Sequence, residues 1–296
     1  MKVRLLSVAM LGWTLVVGAQ TLPEVRNASG VRMAVAEEDS QPVLHVVLPD
    51  EANWEAIRVL FPEHVTVKKV GTSDGEHLYL FEPGTDGKRP AWRQVGQAIE
   101  YQRDFKPGIR MVARASLQDD GVLFHYEFEN RSDMDYAMVT AVTDPRMTSV
   151  LHDVRLERTY VHYGDGFKLL AEETPARLTM PLDKWLPVRY LASYTWPVPA
   201  QLVDRRADGI TYYNTSRAVD EPLIATISSD GKWVVASFAK TTGNVWSNPE
   251  LTCQHVDPEK PLGPGGRAVI EVKMLVFEGT LDEVLRKVTS QRAMLQ

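Results

Sequence analysis

Apolar and polar residues alternate along most of the chain in short runs separated by turn residues, the pattern of strands that bury one face. Val43 to Leu48 alternates in part before a Pro49-Asp50 turn, and Val65 to Val70 and His77 to Phe81 follow as β-like runs. Gly84 to Pro90 reads as a loop. Ile109 to Leu117 and Val122 to Glu129 flank Gln118-Asp119-Asp120-Gly121, a strong hairpin signal. In the second of these strands Val122, Phe124, Tyr126 and Phe128 share one face, and Leu123, His125, Glu127 and Glu129 share the other. Tyr136 to Thr143 is a third strand, and the three together read as a meander. Two strands are expected around Gly164-Asp165-Gly166, then a hairpin from Leu223 to Lys240, then a long strand from Arg267 to Phe277. Residues 171–190, with Pro175, Pro181 and Pro187, read as loops with a helical turn. Thr280 to Gln296 is the best helix, opened by a Thr280/Glu283 capping box, with Leu281, Val284, Leu285 and Val288 on one face.

No series of helices alternates with these strands. The fold class predicted is therefore all-β, a large antiparallel β-sandwich with a short C-terminal helix. Lys2 and Arg4 precede an apolar run from Leu5 to Val17, and Val17-Gly18-Ala19 offers small residues for cleavage. Residues 1–19 thus read as a signal peptide. Residues 20–42 read as an irregular lead-in, and residues 43–296 as a single β-sandwich domain without repeats or linkers. The run is shorter than the ~20 residues of a spanning helix, so no membrane segment is expected after cleavage.

The chain has 296 residues, a net charge of −6 and one cysteine, Cys253. An intramolecular disulfide is excluded, and a bacterial periplasmic or secreted protein with a sufficient core is expected. No stretch is dense in Lys or Arg, so no nucleic acid partner is expected. A monomer without cofactor is the working expectation. The seven Trp and ten Tyr include a group, Trp185, Tyr190, Tyr194 and Trp196, in a proline-broken stretch that suits the rim of a sugar site.

The densest chemistry lies in Trp246-Ser247-Asn248-Pro249-Glu250-Leu251-Thr252-Cys253-Gln254-His255-Val256-Asp257-Pro258, which runs through Pro264-Gly265 into the last strand. This region resembles the closing segment of galactose-mutarotase-like proteins: a Cys or small residue, Gln-His, a Pro/Asp-rich loop, a Pro-Gly turn and a long strand. The resemblance covers about 40 residues and implies a β-sandwich with a sugar groove. It also implies a catalytic Glu two residues before Gln254, where this chain has Thr252. A threonine hydroxyl is no general base at neutral pH. Glu250 lies on the same side if the segment is a strand, about 7 Å further along. Mutarotase activity is therefore not expected.

From the residues themselves, His255, Glu250 and His162 are the catalytic candidates. Trp246, Asn248, Gln254, Arg158, Tyr160 and Trp196 are the candidates for holding a substrate. Arg158, Tyr160 and His162 alternate and so share one polar strand face. Cys253 reads as a buried structural thiol. No metal site is expected, because the ten-residue spacing of His152 and His162 fits no compact ligand motif. There is no Gly-x-Ser-x-Gly elbow, phosphate-binding glycine loop or His-Glu-x-x-His. Two functions stand. One is an exported carbohydrate-binding or carbohydrate-processing protein with a sugar or oligosaccharide partner, in which His255, Glu250, Trp246 and the Arg158–His162 face converge on one groove. The other is a non-catalytic secreted structural or protein-interaction module, in which they scatter.

Overall fold

The alternating runs become the edges and centres of four sheets. The computed structural model describes residues 22–36, 41–49, 55–78, 80, 91–106, 108–164, 166–170, 219–243, 245–247 and 252–296, and the backbone of 188–194, 203–205 and 211–214. A first sheet joins β1 (Glu24–Arg26), β2 (Arg32–Ala36), β3 (Val43–Val47), β4 (Ile57–Leu60) and β12 (Asp144–Arg146), all antiparallel. The largest sheet has nine strands in the order β14 (Gly166–Leu169), β13 (Thr159–Tyr163), β18 (Leu223–Ile227), β19 (Trp233–Ala239), β23 (Arg267–Glu278), β10 (Gly121–Asn130), β9 (Ile109–Gln118), β8 (Ala98–Phe105) and β7 (Arg93–Val95). A four-stranded sheet has the order β22 (Lys260–Leu262), β11 (Tyr136–Ala141), β5 (Val65–Lys69) and β6 (Glu76–Leu78). The fourth contains β16 (Val203–Arg205), β17 (Thr211–Asn214), β15 (Val188–Tyr194), β20 (Val245–Ser247) and β21 (His255–Val256), with β15 and β17 parallel.

One continuous apolar core lies between these sheets. It takes Met33, Leu44 and Val59 from the first sheet, Phe124, Tyr126, Phe128, Ile270 and Val235 from the nine-stranded sheet, and Val67 and Val139 from the third. Phe61 packs at 5.3 Å from Phe124 and 5.2 Å from Tyr126, ring centre to ring centre. The opposite face of the nine-stranded sheet carries a second cluster of Leu223, Ala225, Val234, Ala236, Phe238 and Leu275, which α1 (Leu281–Gln291) covers with Val284 and Val288. The fold class is all-β with antiparallel sheets and a short C-terminal helix, as expected. The capping box is present, the Thr280 side chain accepting from the Glu283 N–H and Glu283 returning the bond. The helix stops short of Gln296, and a 3-10 turn at Arg292–Met294 leads to buried Leu295.

Two expectations are corrected. Residues 20–42 are not an irregular lead-in, since they hold β1 and β2, which pair with each other, and β2 pairs in turn with β3. Buried Val25, Met33 and Val35 alternate with more exposed neighbours there, a period hidden by runs as short as three residues. The meander also breaks after β10, because β11 leaves for another sheet. Asn130, 1% exposed, turns the chain away. Its side-chain amide donates to the carbonyls of Met134 and Gly263 at 2.7 and 3.0 Å, and its oxygen accepts from Ser132 N–H at 3.0 Å. The expected strands at 159–163 and 166–169 form. Of the 171–190 stretch, residues 171–187 lie outside the described residues and 188–190 begin β15.

The β9–β10 turn anchors the helix. Asp120 accepts from Lys273 at 2.8 Å, Lys287 at 3.0 Å and Gln291 at 2.8 Å. Burial opposes its charge, but the bonds from these three side chains hold the Asp120 carboxyl at about 2. Gly121 follows with φ 145°, and a Cβ there would lie 2.0 Å from the Met274 carbonyl oxygen. Lys273 is 1% exposed, so Asp120→Ala would leave a buried ammonium without its carboxylate. A loss of about 3 kcal/mol is expected in urea unfolding at neutral pH. The folded carboxyl lies below its unfolded value of about 3.9. Its stabilisation is therefore complete above that value and fades as pH falls toward 2, so Asp120→Asn should flatten the stability profile across that window.

Candidate functional site

Three segments distant in sequence are tied by their backbones at one place. The Glu63 N–H donates to Val142 O at 2.7 Å and the Val142 N–H to His64 O at 3.0 Å. The Gln254 N–H donates to Pro145 O at 3.1 Å and the Met147 N–H to Thr252 O at 3.3 Å, with an isolated bridge between Arg146 and Cys253. β12 thus runs between the Glu63-His64 turn and the segment that carries Cys253, Gln254 and His255. Thr252 has φ 45°, so the chain bends there and is no regular strand. Its hydroxyl donates to Met147 O at 3.0 Å.

Gln254 and His255 point to opposite sides, as strand geometry requires. Gln254 faces the inner side of the nine-stranded sheet, donating to Thr226 Oγ1 at 2.8 Å and Val235 O at 3.2 Å. Its oxygen accepts from Ser237 at 3.4 Å. His255 faces β12. Its Nε2 lies 3.1 Å from Asp144 Oδ1, and its Nδ1 lies 3.5 Å from Asp257 Oδ1. Arg146, two residues after Asp144 and on the same side of β12, donates from Nε to Asp144 Oδ2 at 2.6 Å and from Nη2 to Glu63 Oε1 at 3.0 Å. Glu63 Oε2 lies 3.8 Å from His64 Nδ1, and the His64 and His77 rings meet edge to face at 4.8 Å. The row climbs out of the core: the side chains of Asp144 and His255 are 1% exposed, Arg146 20%, Glu63 28% and His64 31%.

The charges answer to these contacts. Burial works against a charged His255, yet Cys253 and Asp144 beside it hold the imidazole well above its ordinary range. Burial likewise opposes the Asp144 carboxylate, and His255 and Arg146 bring it below the usual value. Glu63 is raised by burial and by the Asp144 charge. His64 is lowered to about 4 by burial and by His77, with His255 adding to the effect. At neutral pH the row therefore runs from a buried ion pair to a neutral imidazole near the surface. Asp144, Cys253 and His255 also place an oxygen, a sulfur and a nitrogen within 4.8 Å of one another.

Among the described residues, His255, Gln254, Arg158, Tyr160 and His162 do not meet in one groove. His162 and Tyr160 alternate with Thr159 and Val161 on β13, and Thr159 bonds Thr226 at 2.9 Å on the inner face. His162 therefore lies on the opposite face of the nine-stranded sheet from Gln254, 5.2 Å from the Phe167 ring and 2.6 Å from Asp220. Arg158 precedes β13 and gives its guanidinium to the carbonyls of Val150, Ile227 and His152 at 2.9, 2.8 and 2.5 Å, which fastens a loop. Trp246 pairs with His255 through the β20–β21 backbone. Glu250, Asn248 and Trp196 lie outside the described residues. Sequence reasoning passed over Asp144, Arg146, Glu63 and His64. The one local signal was the Asp-x-Arg spacing of β12, which sets both charges on one side of a strand.

The structure is similar to that of a galactose mutarotase related enzyme from Lactobacillus acidophilus, at 10% identity over 88% of this chain and 98% of that one, with a TM-score of 0.48. It is similar to a galactose mutarotase-like protein from Lactobacillus casei, at 9% identity over 86% of this chain and 99% of that one, with a TM-score of 0.43. It is also similar to an α-N-acetylgalactosaminidase from Bifidobacterium bifidum, at 12% identity over 90% of this chain and 38% of that one, with a TM-score of 0.46. No family model matches the chain, and no curated protein matches it in sequence.

Asp144→Ala would leave the buried His255 cation and the partly buried Arg146 without the carboxylate they share. A loss of about 3–5 kcal/mol in urea unfolding is expected, and a loss under about 1 kcal/mol would mean that solvent screens the pair. His64 gives a pH signature. Its folded value, about 4, lies below its unfolded one, so the unfolded chain takes the proton first. The fold then loses stability as pH falls from about 6.5 to 4, by about 1–2 kcal/mol after solvent screening. His64→Gln should remove that slope, and a wild-type slope that survives the substitution would assign it to another group.

Proposed function

We propose that this chain is an exported carbohydrate-binding or carbohydrate-processing protein whose sugar sits against the Glu63–Arg146–Asp144 row. The observation that carries the reading is the row itself, a carboxylate, a guanidinium and a carboxylate held 3.0 and 2.6 Å apart and emerging from 1% to 28% exposure. A sugar hydroxyl both donates and accepts, so it is matched by fixed acceptors alternating with fixed donors. Ion pairing within the row holds these groups in place before a ligand arrives, which reduces the ordering cost of binding.

The outer end of the row supports proton transfer. Glu63, held above the ordinary carboxylate range, stands beside His64, held neutral at pH 7. The neutral imidazole offers a hydroxyl a hydrogen bond, and the carboxyl, shifted toward the working pH, is the one of the two placed to exchange a proton with it. Thr252 supplies no such base, so the acid–base work falls to the Glu63-His64 pair rather than to the position that the mutarotase resemblance implies. The basic start and apolar run of residues 1–19 support export to the periplasm or beyond, and we propose that the protein acts there as a monomer.

Calorimetric titration with neutral mono- and oligosaccharides and with uronic acids tests the reading. One sugar class should bind, and Glu63→Gln should weaken it about 10-fold or more, the loss of one charged hydrogen bond. A flat panel at millimolar sugar, or binding that Glu63→Gln leaves intact, would overturn the assignment.

A further inference from the structure

We propose that Asp144, Cys253 and His255 form a binding site for one divalent first-row metal ion of the zinc type. Asp144, Cys253 and His255 come from β12, the bridge residue beside it and β21, and one ligand atom of each lies within 4.8 Å of the other two, with His255 Nε2 and Asp144 Oδ1 3.1 Å apart. A tetrahedral ion with bonds of about 2.0–2.3 Å sets its ligand atoms about 3.3–3.8 Å apart. The 3.1 Å separation of His255 Nε2 and Asp144 Oδ1 opens slightly around such an ion, and the widest pair closes by no more than about 1.5 Å.

The surroundings of the three donors match what a metal site requires beyond its ligands. A ligating imidazole commonly presents its second ring nitrogen to a carboxylate, which fixes its orientation and makes the ligating nitrogen a better donor. Here Nδ1 of His255 faces Asp257 Oδ1 at 3.5 Å, while Nε2 faces the cluster. A ligating carboxylate is in turn held through its other oxygen. Arg146 does this, bonding Asp144 Oδ2 at 2.6 Å and leaving Oδ1 toward Cys253 and His255. Arg146 holds the Asp144 oxygen that does not meet His255, and Asp257 faces the His255 nitrogen that does not meet Asp144. All three donors are 1% exposed, so an ion there would be shielded from water on the protein side.

Ligand chemistry selects the ion. Thiolate and imidazole favour zinc and its first-row neighbours, whereas magnesium and calcium take oxygen ligands alone. Three protein ligands leave the fourth position of a tetrahedral ion open. A metal binds the thiolate and the neutral imidazole, so binding competes with protons and strengthens as pH rises. The ten-residue spacing of His152 and His162, the one metal-ligand pattern weighed in the sequence, leads elsewhere: His152 is exposed and His162 faces Asp220. The site stands independently of any sugar.

The untagged protein, freed of metal with a chelator and titrated with Co²⁺ in the absence of sugar, tests it. About one ion per chain should bind with strong near-ultraviolet thiolate-to-cobalt absorption, and Zn²⁺ should displace it. Because the chain has a single cysteine, that absorption reports Cys253 alone. Cys253→Ser, folded by circular dichroism, should lose the absorption, and His255→Gln should weaken binding at least 10-fold. If His255→Gln fails to fold, the Cys253→Ser comparison decides. Cobalt bound without the thiolate absorption, or no more cobalt bound by wild type than by Cys253→Ser, would overturn the site. So would full affinity in folded His255→Gln.

Discussion

The pairing of β10 with β23 is the constraint on which the other parts depend. Nine consecutive residue pairs, from Gly121↔Leu275 to Glu129↔Arg267, fix the register at the centre of the nine-stranded sheet. Because side chains alternate across a strand, that register decides what each face carries. Phe124, Tyr126 and Phe128 go to the shared core with Ile270, Val272 and Met274, and Leu275 goes to the face that α1 covers. A slip of one residue would invert both faces together. The Asp120 turn ends the pairing at one side and takes the helix with it, while Asn130 ends it at the other and sends β11 to a different sheet.

Between this sheet and β12 lies a short extended segment, residues 252–257, whose two neighbouring polar side chains serve different layers. Gln254 spends its amide on Thr226, Val235 and Ser237, and so fixes the segment to the nine-stranded sheet. That anchoring turns His255 the other way, onto Asp144. The two are one structural device, since the hydrogen bonds of Gln254 set the position from which His255 reaches its partners. The Gln-His pair is thus half framework and half site.

The fold class was legible because it rests on local periodicity. The Asp119-Asp120-Gly121 turn, the alternation of β10, the long β23 and the capping box at Thr280 are each written within about ten residues of sequence. β1 and β2 escaped because strands of three and five residues offer too few alternations to read. The site was legible only at His255. Its partner Asp144 lies 111 positions away, and Glu63 is 83 positions from Arg146. Tyr160 and His162 share one face of β13, which Arg158 precedes, but sequence does not say which face of a sheet meets the site. Thr159 and Thr226 settle that by bonding on the inner side.

The same distance along the chain explains why a single cysteine reads as inert in the sequence and differently in the structure. Compact metal motifs are recognisable when two ligands share one turn or strand. Here Cys253 and His255 do share a strand segment, but their third partner arrives through the Arg146–Cys253 bridge. An oxygen, a sulfur and a nitrogen so placed, each closed to water, must be neutralised by protons, by one another or by a cation. Arg146 bonds Asp144 and Asp257 faces His255, which orients both groups. The burial that makes Cys253 look structural therefore makes the cluster suited to a metal ion, because a thiolate and a carboxylate in a dry space hold a divalent cation more firmly than they would in water.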